Sequence, residues 1–148
     1  MSTGDGSLAR FLRLSGADRS LLIRSGLVLT LARLALWLLP LTGARRLLAW
    51  LTKPHPVQTA TAERIGWAVS VASRVVPRAT CLPQALAGEA LLAQDRHPVA
   101  LRIGVVKTDR GRLEAHAWVE SAGRIVVGDL DRRHAAYTPL PPLPEPKV

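Results

Sequence analysis

The sequence contains a single cysteine, and this scarcity excludes several classes of protein. One thiol, Cys81, can form neither an intrachain disulfide nor a metal site built from several thiolates. Histidines at metal-ligand spacing, such as HxxxH, are also missing from the sequence, so we expect no metal and no cofactor. The low thiol content fits a reducing compartment, and the first residues lack the basic segment of a secretory signal. The sequence therefore predicts a cytoplasmic protein.

Aromatic residues are scarce as well, with four tryptophans, one tyrosine and one phenylalanine in 148 residues. Because 48% of the residues are hydrophobic, the core must be built mainly from leucine, valine and alanine. The net charge of +9 would suit nucleic acid, anionic lipid or an acidic peptide as a partner. Aromatic residues do not alternate with basic ones as in a base-stacking surface, and no helix-turn-helix signature is present. We therefore expect no nucleic-acid partner.

The sequence also lacks an apolar run long enough to predict a membrane span. The best candidate, residues 26–41, is shorter than the ~20 apolar residues that a spanning helix needs, and Arg33 lies near its middle. A helix that is buried or covered by a partner is the better interpretation. Because Arg45 and Arg46 flank the run, a weak membrane association of the N-terminal helices is the second one.

Prolines and a change of hydrophobic period divide the chain into three parts. The first seven residues are predicted to be disordered. A helical pattern capped by Asp18 or Ser20 follows and completes an N-terminal helical extension over residues 1–54. The predicted core covers residues 55–138, and a proline-rich tail covers residues 139–148.

Within the core, two helices precede three strands. Thr61 is predicted to cap the first helix, and the second begins near Cys81 and continues to about Gln94. The apolar period then changes from 3.6 to 2 residues, which predicts an antiparallel meander over residues 99–107, 113–121 and 125–129. Helices followed by antiparallel strands are typical of the α+β class.

Three residues of this core form a candidate catalytic set: Cys81, His116 and Asp129. A helix N-terminus carries about half a positive charge and presents unsatisfied N–H groups, so it favours a thiolate and can stabilise an oxyanion. If a tight turn at residues 122–123 joins the last two strands, His116 and Asp129 are nearly cross-strand neighbours. A one-residue irregularity would bring them into register. Such a set supplies the nucleophile, base and orienting carboxylate of thiol-based acyl transfer.

Each member of this set also has a structural interpretation. A lone cysteine is often a small buried hydrophobe, a strand histidine is often a packing residue, and an aspartate after a strand often caps a turn. Other residues compete for two of the roles: His55, His97 or His134 as the base, and Asp131 as the carboxylate. His97 lies between a turn and a proline and is expected to be solvated. Spacing alone leaves the catalytic and the structural interpretations about equal.

A family resemblance favours the catalytic interpretation. The strings CLPQALAGEALL, LRIGVVK, LEAHAWVE and GRIVVGD, within residues 64–130, resemble the leader peptidases of lasso-peptide biosynthesis. These are stand-alone cysteine proteases with a papain- and transglutaminase-like fold, and the helices before the core resemble the hydrophobic extension of that group. The resemblance implies that Cys81 is the nucleophile, His116 the general base and acid, and Asp129 the orienting carboxylate. Members often have asparagine before this acid, whereas here Gly128 precedes it.

The resemblance also implies a function and its partners. The expected enzyme cleaves a ribosomally made precursor peptide between leader and core, before a separate ATP-dependent lasso cyclase closes the core. No segment of the sequence corresponds to a leader-binding domain, so we expect a separate leader-binding protein to deliver the precursor. Trp118 and Gln84 are the expected substrate-binding residues, with Gln84 also a candidate oxyanion donor.

Two other functions stay open at this point. A transglutaminase or another acyltransferase uses the same triad with an amine in place of water as the second nucleophile, and nothing in the sequence distinguishes the two reactions. A non-catalytic peptide-binding module of a peptide-maturation complex would keep the fold and use Cys81 only for packing.

Overall fold

The computed structural model describes residues 3–128 and 137–146. Within these residues, five helices precede a four-stranded antiparallel sheet, which confirms the α+β fold class. The helices are α1 (Thr3–Arg13), α2 (Gly16–Leu38), α3 (Leu41–Leu51), α4 (Ala62–Ser73) and α5 (Cys81–Gln94). The strands are β1 (Ala100–Lys107), β2 (Leu113–Ser121), β3 (Arg124–Val127) and β4 (Thr138–Pro139).

The N-terminal helices begin earlier than the sequence pattern predicted. Helix α1 starts at Thr3, so the prediction of a disordered start is wrong from that residue onward. The cap of α2 is Ser15 rather than Asp18 or Ser20, because the Ser15 hydroxyl oxygen accepts a hydrogen bond from the backbone N–H of Asp18 at 3.2 Å. The Asp18 carboxylate pairs with Arg64 on α4. The hydrogen bond from Arg64 lowers the pKa of Asp18, and it ties the start of α2 to α4.

Helix α2 is also longer than the apolar run that suggested it. Gly26 does not interrupt the helix, which ends where Leu39 takes an extended conformation ahead of Pro40. By length and composition, this described helix is long and apolar enough to cross a membrane, and 33% of its most apolar window is buried inside the protein. A core helix passes the same test, so α2 fits both a core helix and a membrane-associated one.

The N-terminal helices and the rest of the chain share one hydrophobic core. Helix α2 packs across α4 and α5, and α3 packs on α5. Helices α2 and α3, which belong to the predicted extension over residues 1–54, therefore dock on the predicted core. As expected from the composition, the fully buried side chains are mostly aliphatic; the largest include Leu29, Leu48, Ile65, Val69, Leu86, Leu91, Leu92, Leu101 and Val119.

A buried ion pair connects two segments, α3 and the proline-rich tail, to the middle of α5. Arg45 on α3 donates from Nε to Glu89 Oε2 at 3.0 Å and from Nη2 to Glu89 Oε1. The same guanidinium donates from Nη1 to the carbonyl oxygen of Pro144 at 2.7 Å. Since both charged side chains are almost fully buried, each is stabilised by the other. The proline-rich tail is thereby fixed across α3 and α5.

The sheet has the order β3-β2-β1-β4. Ala122 and Gly123 connect β2 to β3 with φ values of 49° and 78°, a pair of left-handed residues that matches the twist of a hairpin. Ser121 pairs with Arg124, but Val119 pairs with Val127, so β3 contains one extra residue. This extra residue is Val126, and it is a β-bulge of the kind that the sequence analysis considered.

Two glycines allow helices to approach this bulged strand closely. A Cβ atom on Gly66 of α4 would lie 2.1 Å from the carbonyl oxygen of Val126. A Cβ atom on Gly88 of α5 would lie 2.7 Å from Cγ2 of Val127. Helix α5 therefore lies against the face of the sheet that carries Val127 and its partner Val119. This contact sets the position of the helix start.

Candidate active site

Cys81 is the first residue of α5 and lies half-buried against the hydrophobic core. Thr80 occupies the N-cap, but in the described structure its side chain makes no capping hydrogen bond. Pro83, in the first turn, has no N–H group. In the first turn of this helix, the backbone N–H groups of Cys81 and Leu82 therefore have no acceptor within the helix. They are placed to stabilise negative charge next to the thiol.

Gln84 supports the turn that leads into this helix. Its side-chain Nε2 donates a hydrogen bond to the carbonyl oxygen of Ala79 at 2.7 Å. The sequence suggested Gln84 as a substrate-binding residue and oxyanion donor. In the structure, this amide donor holds the segment in front of Cys81, and the suggested roles in substrate binding and oxyanion stabilisation stay predictions.

His116 lies on β2 and is 5% exposed. Its Nε2 lies 2.6 Å from the carbonyl oxygen of Gly128. Because a carbonyl oxygen only accepts hydrogen bonds, Nε2 must carry the hydrogen. In the neutral imidazole the other nitrogen, Nδ1, is then the acceptor. The backbone just after β3 thus selects the tautomer in which Nδ1 can take a proton.

Two aromatic rings enclose the imidazole. Trp118 stacks on His116 with ring centroids 5.9 Å apart, and the Tyr137 ring lies 5.4 Å away. Trp118 is itself 3% exposed, and its Nε1 donates to Glu120 Oε1 at 3.0 Å. Among the described residues, Trp118 therefore forms a buried wall beside the histidine ring, and its predicted role in substrate binding stays a prediction.

Gly104 and Tyr137 also line the environment of the His116 ring, and the sequence did not predict either of them. A Cβ atom on Gly104, the cross-strand partner of His116, would lie 2.8 Å from the Trp118 ring and from Cβ of Tyr137. A glycine inside a strand signals a close approach of this kind and was visible in the string LRIGVVK. Tyr137 gave no comparable signal, because only the pairing of β4 with β1 brings it there.

The fold places Cys81 and His116 at the same end of the domain. The C-terminal half of α5 and the start of β1 line the same cavity, so β1 runs antiparallel to α5. Because β2 is antiparallel to β1, β2 runs in the same direction as α5. Gly88 of α5 contacts the sheet at Val127, which pairs with Val119. Cys81 lies about 10 Å from Gly88 along the helix axis, toward the N-terminus of α5. His116 lies about 10 Å along β2 in the same direction.

The two side chains approach this end from different directions. Alternation along β2 puts His116 with Trp118 on the face opposite Val119, whereas α5 covers the Val119 face. Among the described residues, no hydrogen bond joins the Cys81 sulfur to the His116 ring. Catalytic hydrogen bonds are often long in unliganded enzymes and tighten when substrate binds.

The competing histidines that the structure describes lie at the opposite end of α5. The backbone N–H of His55 donates to the carbonyl of Gln94, and that of His97 donates to the carbonyl of Leu92. Both therefore lie about 20 Å from Cys81, the length of α5. The expectation that His97 is solvated is wrong: its side chain is 13% exposed, and Nε2 lies 2.7 Å from the carbonyl oxygen of Ala60.

The remaining candidates fall outside the described residues. These are Asp129, Asp131 and His134. The described chain reaches Gly128, whose carbonyl holds the His116 ring, and Asp129 is the next residue in the sequence. Within residues 3–128 and 137–146, no group of three or more histidine, cysteine, aspartate or glutamate side chains could hold a metal ion.

Comparison with known proteins identifies the family. Residues 26–141 match the Transglutaminase-like superfamily. The chain belongs to this superfamily. The match includes the second half of α2, all of α3 and every later element, and it is thus wider than residues 64–130, where the sequence strings lie. Neither the curated proteins nor the solved structures contain a match to the chain.

The transglutaminase-like superfamily includes cysteine proteases and acyltransferases. The matched range contains both Cys81 and His116, together with the helix start and the strand that hold them. A thiol at a helix N-terminus and a histidine with an accepting nitrogen are the groups that thiol-based acyl transfer uses. The family and the chemistry of the described residues thus agree on the reaction class.

Proposed function

We propose that this transglutaminase-like protein is a cysteine peptidase that removes the leader from a ribosomally made lasso-peptide precursor. The observation that supports acyl-transfer chemistry most directly is the position of Cys81. Cys81 is the first residue of a buried helix. In the described structure, the Thr80 side chain does not cap the N–H groups of the first turn of this helix. His116 lies at the same level of the domain, in the tautomer that can accept a proton.

The reaction begins with transfer of the Cys81 thiol proton to Nδ1 of His116. The thiolate attacks the carbonyl carbon of the scissile peptide bond, and the N–H groups of Cys81 and Leu82 stabilise the oxyanion. When the C–N bond breaks, His116 returns the proton to the amine of the core peptide. Water then attacks the thioester, His116 takes a proton from that water, and the leader leaves with a new carboxylate while the thiol is restored.

The orientation of His116 depends on the segment that follows β3. The Gly128 carbonyl accepts the Nε2–H bond and would stabilise the imidazolium formed during the reaction. We propose that the Asp129 carboxylate completes the triad beside it. A glycine at residue 128 supplies no side chain for this purpose, so the backbone carbonyl acts where many lasso-peptide leader peptidases have an asparagine.

The substrate assignment depends on the sequence strings around these residues. Their resemblance to lasso-peptide leader peptidases supports a leader–core precursor as substrate, a separate leader-binding protein and a lasso cyclase that acts next. The net charge of +9 supports electrostatic attraction of an acidic leader or an acidic partner. Such attraction raises the rate of association more than the final affinity, and it weakens in high salt.

The decisive experiment is cleavage of purified precursor in the presence of the leader-binding protein. Cys81→Ala should reduce the cleavage rate by about 10³-fold or more, because the nucleophile is removed. Thr80→Ala is the matched control: it changes the neighbouring residue, whose side chain makes no capping hydrogen bond in the described structure, and should keep activity. Unchanged cleavage by Cys81→Ala would overturn the assignment.

An acyltransferase is the second candidate, because the superfamily includes this activity and the same residues would perform it. Mass spectrometry of the leader product distinguishes the two. A free carboxylate shows hydrolysis, whereas a product carrying an added primary amine shows acyl transfer.

A third possibility is that Cys81 serves only in packing. In that case, iodoacetamide at neutral pH should label Cys81 no faster than it labels glutathione.

A further inference from the structure

Helix α2 carries apolar residues on two opposite faces, but the protein covers only one of them. Its buried face consists of Leu21, Ser25, Val28, Leu29, Ala32 and Ala35, which pack toward α4 and α5. Its outer face is an exposed apolar row, here called the α2 stripe: Ile23, Leu27, Leu31, Leu34, Trp37 and Leu38. A surface helix normally has polar residues opposite its buried face, and a second apolar face is normally covered as well. The stripe therefore indicates that a further apolar surface covers it.

The composition of this exposed surface indicates an interface with lipid. Leu27 is 62% exposed and Trp37 is 81% exposed. On α3, Leu47, Trp50 and Leu51 are exposed as well. Exposed tryptophans are typical of membrane–water interfaces, where one part of the indole is in apolar surroundings and the N–H reaches polar groups. Two of the four tryptophans of this protein are exposed on these two helices.

The charges around the stripe favour an anionic surface. Residues 19–62 contain no aspartate or glutamate but carry Arg19, Arg24, Arg33, Arg45, Arg46 and Lys53. Arg45 is occupied by Glu89 inside the protein. On a helical wheel, Arg19 and Arg24 lie on opposite flanks of the stripe, and Arg46 is exposed on α3. Arg24 is partly buried and donates from Nη1 to His55 Nε2 at 2.7 Å, but it keeps its positive charge. A second copy of the chain would bring two sets of cations together, whereas anionic lipid headgroups complement them.

We propose that the α2 stripe docks in the surface of an anionic lipid membrane while the opposite face of α2 stays in the protein core. The helix lies in the interface and does not span the bilayer. Spanning would pull Val28, Leu29 and Ala32 out of the core, and these side chains are at most 5% exposed. The flanking arginines would meanwhile enter the hydrocarbon, which is costly. The proposal does not depend on the proposed peptidase activity.

Flotation of the purified full chain with lipid vesicles tests this docking. Vesicles of phosphatidylcholine with added phosphatidylglycerol should bind the protein roughly tenfold or more tightly than phosphatidylcholine alone, and salt should weaken the binding. The double substitution Leu27→Gln with Leu31→Gln should reduce binding by roughly tenfold or more. The matched control is Val75→Gln with Leu113→Gln, which removes exposed apolar side chains outside α2 and α3 and should bind as wild type does.

Two further measurements separate lipid from other occupants of the stripe. Tryptophan emission should shift to the blue with anionic vesicles, and Trp37→Phe should reduce the shift. Light scattering without lipid should show a monomer. Absence of vesicle binding would overturn the proposal, as would equal binding by the stripe variant and wild type. A dimer that the stripe variant breaks would also overturn it and assign the stripe to a second copy.

Discussion

The two ends of α5 differ in how far their polar groups are hydrogen-bonded. At the C-terminal end, the fully buried Asp95 carboxylate accepts hydrogen bonds from the backbone N–H groups of Thr59 and Ala60, at 2.7–3.0 Å, and from the Thr59 hydroxyl at 2.6 Å. At the N-terminal end, the described Thr80 side chain caps nothing, and the first turn contains a proline. The polar groups at one end are satisfied by the protein itself, whereas at the other end the first-turn N–H groups have no side-chain cap from Thr80.

This difference separates stability from reactivity along a single helix. The satisfied end should set how firmly α5 is held, because removal of a buried partner leaves an unsatisfied polar group. The end with Cys81 should contribute little to stability and much to the reaction. Substitutions at the two ends, and between them, should therefore change different measured quantities.

The largest effect is expected from His116→Ala, at the Cys81 end. Removing the base should lower kcat/KM for precursor cleavage by about 10²- to 10⁴-fold. The measurement is precursor cleavage followed by mass spectrometry, with circular dichroism to show that the variant is folded. His55→Ala, which removes a histidine from the far end of α5, should keep activity. Retained activity in His116→Ala would move the base elsewhere.

The next effect is expected at the middle of α5, from Glu89→Ala. This change leaves Arg45 buried without its carboxylate and should lower the free energy of unfolding by about 3–5 kcal/mol. Urea denaturation measures it. The double variant Arg45→Met with Glu89→Leu removes both charges and should lose much less stability. If the single and the double variants lose the same amount, the ion pair is not what holds α3 to α5.

A smaller loss is expected from Asp95→Asn at the satisfied end, about 1–3 kcal/mol in the free energy of unfolding at neutral pH. Burial opposes ionisation of Asp95, but the hydrogen bonds from Thr59 and Ala60 outweigh it and hold the pKa of this carboxyl below its usual value of 3.8. The folded state therefore binds fewer protons than the unfolded state as pH falls through this range.

The stabilisation from Asp95 is complete above pH 3.8, the usual pKa, and is lost as pH falls toward the lowered pKa of the folded state. Urea denaturation of wild type and Asp95→Asn at a series of acidic pH values measures the difference. The gap between the two proteins should narrow as the pH falls below 3.8. A gap that stays constant would show that ionisation of Asp95 contributes nothing.

The smallest effect is expected from Gln84→Ala, again at the Cys81 end. Loss of the hydrogen bond to Ala79 should cost about 0.5–1.5 kcal/mol of stability. Because this bond holds the segment before the thiol, kcat should fall several-fold while KM changes little. Gln58→Ala, which loses a 3.4 Å hydrogen bond on the surface, is the control and should change neither. An equal loss in both variants would assign Gln84 to stability alone.

Local sequence patterns predicted the bounds of some elements closely. The structure has α5 at Cys81–Gln94 and β2 at Leu113–Ser121, as the pattern predicted, and the Thr61 hydroxyl caps α4 by accepting from the backbone N–H of Arg64. These features depend on neighbours in the chain: a cap, a proline in the first turn, and a regular apolar period. The cysteine at a helix start and the strand histidine, on which the proposed reaction depends, are visible in the same way.

Contacts between distant segments were predicted less well. The cap of α2 was assigned to Asp18 or Ser20, but Asp18 is engaged by Arg64, 46 residues further along the chain. His97 was expected in solvent because it adjoins a turn, but the segment before α4 covers it. Neither partner has a signal near the residue that it contacts.

The order of two helices and then three strands in the core, the helix that begins at Cys81 and the alternation that puts His116 and Trp118 on one face all follow from the sequence alone. Each results from capping, proline geometry and hydrophobic period, which act over a few residues. Only the tertiary structure decided that Nε2 of His116 donates to Gly128, that two of the competing histidines lie at the wrong end of α5, and that one face of α2 stays exposed. These features depend on how distant segments pack, and local patterns carry no record of that packing.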